Sequence, residues 1–242
     1  MNQEAEIFDK VVRERRSIRR YDETIDYDKD VVKRSLERAI LSPNSSNMQL
    51  WEFYRITSDE AKKKIAYYCL DQRTATTASE LLVIVARPDK VKESIKLNLS
   101  LVNDPNSFEK EDFREKRRTY YSKVMPLFYS RDFLFILSLI KKLVVFVVGL
   151  KRPIVREVTV INKKVTIHKS VALAAQTFML SVKAEGYDTC PMEGVDSKRI
   201  KKYLKLPRRA EINMVISVGQ RAEGGIWYPQ KRYEYDEVVK EI

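Results

Sequence analysis

Apolar residues return at helical spacing over Asp28 to Leu41, where Val31, Val32, Leu36, Ala39 and Ile40 share one face. That helix should stop at Ser42-Pro43-Asn44-Ser45-Ser46-Asn47, a run of turn formers. Ile7 to Glu14 predicts a short helix before it, and Asp59 to Leu70 a third one after it. Between these lies Trp51-Glu52-Phe53-Tyr54-Arg55-Ile56, aromatic and branched, which predicts a strand. Leu81-Leu82-Val83-Ile84-Val85 is a short unbroken apolar run, the mark of a strand buried on both faces. Ser170 to Glu185 predicts an alanine-containing helix ended by Gly186. Asp196 caps a further helix over Ser197 to Leu204, and Ile212 to Val218 predicts another strand. Helices and strands interleave with no repeat and no linker, so one α+β domain over 1–242 is expected.

The stretch Phe133 to Leu150 breaks this pattern. It is apolar and about long enough to span a bilayer, but Lys141 and Lys142 sit near its centre. Each would cost roughly 2.5–3.5 kcal/mol there, which argues against a transmembrane helix. Two placements remain. The segment is buried in a subunit interface or under a lid, or it rests on a membrane. In the second case Arg131, Lys141, Lys142, Lys151, Arg152 and Arg156 would face anionic head groups.

Composition narrows the chemistry. The 242 residues are 44% hydrophobic and 33% charged, a globular balance. Only six glycines occur, and no GxGxxG or P-loop pattern is present. His168 is the single histidine, which excludes a multi-histidine metal site. Cys69 and Cys190 are far apart, match no zinc spacing, and read as reduced packing thiols of a cytoplasmic protein. The acidic, polar start through Lys10 predicts no secretory leader. The formal charge of +12 suits an anionic cofactor, a polyanion or a membrane surface. The cations are spread over the whole chain instead of forming one aromatic-interleaved stripe, so a nucleic-acid module is not expected.

Four clusters carry candidate chemistry. The densest is Arg15-Arg16-Ser17-Ile18-Arg19-Arg20-Tyr21. In extended backbone Arg15, Ser17 and Arg19 share one face and Arg16, Ile18 and Arg20 the other. Guanidiniums flanking a hydroxyl suit a phosphate, because they give planar, permanently charged, bidentate contacts. The loop Ser42 to Trp51 supplies amide and hydroxyl groups between a helix and a strand. Gly186 to Asp196 contains a Pro191-Met192-Glu193-Gly194 turn, where Glu193 and Gly194 would point backbone N–H groups at a ligand atom. Gly219-Gln220-Arg221 and Pro229-Gln230-Lys231-Arg232-Tyr233 add cations near the C-terminus. Each cluster alone reads as a solvated face or an ordinary loop.

Their order resembles the FMN-dependent nitroreductase family. That family begins with Arg-Arg/His-Ser-x-Arg/Lys-x-Phe/Tyr, matched by Arg15 to Tyr21. It continues with a Ser/Ala-Pro-Ser-Ser-x-Asn-x-Gln-Pro-Trp loop, matched by Ser42 to Trp51, with Asn44 for a serine and Leu50 for the proline. An alanine-rich helix, a Pro-x-Glu-Gly turn and a C-terminal Gly…Lys-x-Arg or Lys-Arg element follow. The resemblance covers Val11 to about Val85 and His168 to Val239, leaving a variable segment around 88–167.

The resemblance implies a central mixed, mostly antiparallel sheet flanked by helices in an intertwined homodimer. It implies FMN as cofactor, NADH or NADPH as electron donor, and a small-molecule acceptor such as a nitroaromatic or quinone. The alternatives are related flavin chemistry such as reductive dehalogenation, or a non-enzymatic basic protein that binds a membrane surface or nucleic acid. Arg15, Ser17 and Arg232 would hold the phosphate or ribityl chain, with Lys231 as the alternative to Arg232. Arg16 would touch the ribityl chain or flavin edge, and Arg19 would lie near N1 and O2, where reduction places negative charge. Gln72 or Asp71 would approach the pyrimidine ring, with Gln72 chemically better suited. Glu193 or Gly194 would turn a backbone N–H toward N5, and Pro191 and Met192 would cover the ring. Pro43, Asn44 and Ser45 would reach the flavin of the other subunit. No side chain need act as acid or base, and His168 is expected to be structural.

Overall fold

The structure, a computed structural model, describes residues 2–107, 110–130 and 136–242. The helices and strands run α1 (Gln3–Glu14), α2 (Asp30–Ala39), β1 (Trp51–Ile56), α3 (Asp59–Tyr68), the single turn α4 (Arg73–Thr76) and β2 (Glu80–Ala86). Then come α5 (Val91–Asn103), α6 (Glu111–Thr119), α7 (Met125–Phe128) and α8 (Ile136–Gly149). The chain closes with α9 (Val160–Ala184), β3 (Asp188–Met192), α10 (Ser197–Tyr203), β4 (Glu211–Gly219) and α11 (Tyr235–Val238).

The sheet order is β1-β2-β4-β3. Every paired strand in it is antiparallel, so among the described residues the expected mixed character shrinks to one isolated parallel bridge, Ser17 with Thr189. The apolar run of β2 is buried from Glu80 to Ala86, and its period of two divides it between two cores. Leu82, Ile84 and Ala86 face a core built with Val31 and Val32 of α2 and Val171, Ala175, Phe178 and Val182 of α9. Leu81, Val83 and Val85 face the other, built with Ile65 of α3, Cys69 just after it, Ile200 of α10, and Ile18 and Tyr21. The sheet therefore lies between two helical layers. Segment 88–167 joins the first core through Val102, Tyr121 and Met125.

Several boundaries shift for local reasons. The first helix starts at Gln3, where the Asn2 side chain accepts from the Ala5 N–H at 2.9 Å. The third ends at Tyr68, because Leu70 and Asp71 take left-handed φ values of 62° and 49°. The helix expected from Ser170 begins at Val160 instead, set by a capping box between Thr159 and Asn162. It ends as expected, with Gly186 at φ 87°. Asp188 to Met192, read as part of a loop, is strand β3, because it pairs antiparallel with β4 and carries Met192 into the second core.

The helix in the apolar segment spans Ile136–Gly149. Phe133 to Phe135 and Arg131 of that expectation lie outside the described residues. Among the described residues no helix is long and apolar enough to cross a membrane.

An ion cluster clamps α2 to α9. Glu185 accepts from Arg34 at 2.7 Å and from Arg38 at 2.6 Å. Those hydrogen bonds, Arg34 first, hold the Glu185 carboxyl at about 2, against an ordinary 4.5. A depressed folded value stabilises the fold above the unfolded value and loses that contribution as pH falls through the folded one. Glu185→Gln should therefore be less stable than the parent at pH 7, with the gap closing between about pH 4.5 and pH 2. Urea midpoints of both proteins at pH 7 and pH 3 check this. A gap unchanged at pH 3 would contradict it.

Candidate anion and cofactor site

Arg15 is where α1 ends, its φ/ψ of −65°/119° turning the chain into extended backbone. Two buried anchors then fix the arginine motif. Ile18 is fully buried, and its N–H donates to the Thr189 carbonyl at 3.2 Å. Tyr21 is buried, its hydroxyl donating to the Ser217 carbonyl at 3.0 Å while Thr77 receives its backbone N–H at 3.0 Å. Burial pushes the Tyr21 hydroxyl far above its ordinary range, so it stays protonated. Between these anchors the arginines are held at the surface.

The C-terminal segment runs alongside. The Arg19 N–H donates to the Gly225 carbonyl at 2.7 Å, and Ala222 donates to the Arg20 carbonyl at 3.1 Å. A Cβ on Gly225 would sit 2.5 Å from the Arg20 carbonyl oxygen, so this close crossing requires glycine. Arg16 and Arg20, the second face of the motif, donate to the Tyr228 and Glu223 carbonyls. They brace the C-terminal segment.

Arg15, Arg16, Ser17, Arg19 and Arg232 line one cavity of about 170 Å³ with Ile226 to Gln230. Among the described residues none of its four arginines is in an ion pair. Unpaired guanidinium forks beside a hydroxyl attract an anion and match phosphate geometry. Cys190 lies under Arg19, its Sγ 3.8 Å from Nη1. Burial raises its thiol against the lowering pull of Arg19, so it is a packing group there. Burial likewise pushes the Cys69 thiol up to about 12.

The remaining expected residues fall elsewhere in the protomer. Lys231 is exposed and outside the cavity, while Arg232 lines it. Gln72 donates its side-chain amide to the Cys69 and Gly194 carbonyls, both at 3.0 Å, which ties it to the Glu193–Gly194 turn. Asp71 instead lines a separate recess with Asp59, Lys62 and Lys63. Glu193 and Gly194 are exposed, and Pro191 is half-buried in β3. Met192 corrects the sequence reading: its side chain is buried in the second core, so it covers no ligand face.

Pro43, Asn44 and Ser45 do not line the arginine cavity. Their loop folds on itself and on α9. Asn44 Oδ1 accepts from the Gln49 N–H at 2.9 Å, and the Ser45 N–H donates to Ser170 Oγ at 3.1 Å. Pro43 and Ser45 remain exposed, while Leu50 and Trp51 anchor the loop in the core. His168 bridges α9 to β4, with Nε2 3.1 Å from Glu211 and Nδ1 2.9 Å from Asn213. A register shift between Ile84 and Val85 leaves Asn213 outside the strand pairing. Sequence reasoning missed Trp227 and Tyr228 as lining residues. The only local signal was the preceding Gly224-Gly225 pair, which permits the close approach.

Comparison with known proteins adds a family. The profile of the nitroreductase family matches residues 12–220, a span that also takes in segment 88–167. The Bacillus subtilis protein YdgI, named as an NAD(P)H nitroreductase, is 28% identical over 239 residues, covering 96% of each chain. The crystal structure of the nitroreductase YdfN from Bacillus subtilis superposes with a TM-score of 0.73 at 18% identity, over 99% of this chain and 100% of that one. A nitroreductase of Exiguobacterium sibiricum, solved in complex with FMN, gives a TM-score of 0.66 at 22% identity, over 97% of each chain.

Proposed function

The chain belongs to the nitroreductase family and is an oxidoreductase of that type, and on that premise we propose that it works through FMN. The observation that carries this reading is the cavity where Arg15, Arg16, Ser17, Arg19 and Arg232 meet without a paired carboxylate. The donor set fits the group: forked guanidiniums and a hydroxyl suit a flavin phosphate and ribityl chain. Bound there, FMN would take two electrons from NADH or NADPH and, after that donor leaves, pass them to a nitroaromatic, a quinone or a similar small molecule.

The protein's own residues bind and bias. Arg15, Ser17 and Arg232 hold the phosphate end. Arg16 braces the C-terminal segment that forms the far wall. Arg19 supplies a fixed cation toward the ring end, where it favours the electron-rich state. Gln72 holds the Gly194 carbonyl and so orients the Glu193–Gly194 turn beside the ring.

The site is completed by a second copy of the chain. Pro43 and Ser45 are exposed on their loop and line no part of their own arginine cavity, as residues serving a partner's site would. Ile7, Phe8 and Leu41 are exposed on α1 and just beyond α2, giving a homodimer an apolar face to bury. Residues 1–242 act as one domain, with 88–167 as its variable part.

The first test is the visible spectrum of the purified protein, then addition of NADH or NADPH without oxygen. A flavin spectrum that bleaches supports the reading; a colourless protein that takes up no added FMN overturns it. Arg19→Ala should slow that bleaching roughly tenfold to a hundredfold while leaving the thermal midpoint nearly unchanged. Unfolding with normal activity per folded molecule would show Arg19 to be scaffold.

A further inference from the structure

The helix α8 is turned inside out. Ile136, Leu139, Leu143, Phe146, Val147 and Leu150 all point into solvent, with Leu139 70% and Leu150 72% exposed. With Ile140 and Val144, also exposed, they form an arc of roughly 160° around the helix. The packed side is narrow and holds Ser138 and Val145. Lys141 also turns inward, donating to the Leu127 carbonyl at 2.6 Å. Globular helices bury such an apolar arc, so this one awaits a partner.

Its charges say which kind. Over 136–157 the chain carries Lys141, Lys142, Lys151, Arg152 and Arg156 and a single carboxylate, Glu157. Lys142, Lys151, Arg152 and Arg156 are in no ion pair among the described residues. Lys142 lies at the edge of the apolar arc, and the other three follow the helix end. The basic character continues across α9. Val160 lines both an apolar recess with Ile136, Leu139 and Lys142 and a neighbouring one that holds Arg208 and Arg209.

We propose that α8 is a membrane-surface helix, resting its apolar face in the interface of an anionic lipid layer while the surrounding cations meet the head groups. An apolar ridge edged by cations is the form that suits such a surface. A second copy of the chain suits it poorly. A two-fold contact would press this patch on itself and set Lys142, Lys151, Arg152 and Arg156 mainly against like charges, with Glu157 the single acid of 136–157 to offset them. A ridge also needs a matching groove on any protein partner, whereas lipid yields to its shape. The inference is independent of the flavin reading.

The test is co-sedimentation of the full chain with vesicles of mixed phosphatidylglycerol and phosphatidylcholine, and with phosphatidylcholine alone. The protein should pellet with the anionic vesicles, much less with neutral ones, and be released by salt. Leu143→Glu/Phe146→Glu should weaken that partition about tenfold or more. Lys151→Glu/Arg152→Glu should do the same by reversing charge. Both variants should keep the parent's far-UV dichroism, thermal midpoint and mass by light scattering, since the changed side chains are exposed. A protein that stays in the supernatant with anionic vesicles overturns the proposal. So does a fall to half the mass in Leu143→Glu/Phe146→Glu, which would show that a second copy covers the helix.

Discussion

Arg15→Gln/Arg232→Gln should purify without colour and bind added FMN on the order of a thousandfold more weakly than the parent protein. Each lost charge-assisted hydrogen bond is worth roughly 1.5–3 kcal/mol, and a thousandfold is about 4 kcal/mol. Both arginines line the cavity and neither is in an ion pair among the described residues, so the fold has little to lose. Fluorescence titration with FMN measures the affinity, and far-UV dichroism on heating measures the fold. Lys231→Gln is the internal control. Lys231 lies next in sequence but outside the cavity, so its variant should bind within a few fold of the parent. If the double variant also binds within a few fold, the phosphate does not sit between Arg15 and Arg232.

The second large effect concerns stability. Glu80 opens the central strand β2 with its side chain 1% exposed, and Arg55 of β1 holds both its oxygens at 2.7 and 2.9 Å. Arg55 also donates to the Lys29 carbonyl at 2.8 Å, which ties the start of α2 to the sheet. Arg55→Ala leaves a carboxylate buried without its partner and should cost about 3–5 kcal/mol. The lower end is expected, since the Arg55 side chain is itself 29% exposed. Arg55→Met/Glu80→Leu removes both charges and should recover most of that loss, because the desolvation cost goes with them. Urea unfolding of the three proteins reads out the cycle. A single variant that loses under about 1 kcal/mol would show that water reaches Glu80 and that the pair is not a structural one.

The candidate site was legible where its chemistry is dense and local. Arg15 to Tyr21 announces itself by residue type, but alternation was only partly right. Arg20 lies outside the cavity, whereas Arg16 both braces the C-terminal segment and lines the cavity with Arg15, Ser17 and Arg19. The turn at Pro191 to Gly194 was legible only in part. Residue types suggested a loop throughout, but Met192 is core because β3 pairs with β4 and carries it inward. The loop at Ser42 to Trp51 was visible as turn formers. That Asn44 closes the loop on Gln49 depends on left-handed backbone at Ser46, Asn47 and Gln49, which side-chain pattern does not predict.

The helices around α2 and α3, the strands β1, β2 and β4 and the two-sided burial of Leu81 to Val85 follow from the sequence by itself, because apolar period and cap chemistry act between near neighbours. The cluster order from Arg15 to Arg232 likewise carries the family. Tertiary structure alone decided that Arg232, separated from Arg15 by almost the whole chain, shares its cavity. That meeting depends on Ile18 and Tyr21 seating in the core and on Gly225 allowing close backbone approach. It also decided which face of α8 is covered. The pattern of that segment sets Ser138, Lys141 and Lys142 on one side and would by itself turn that side to solvent, the reverse of what the structure does. The choice falls to the distant surface that packs against Ser138 and Val145.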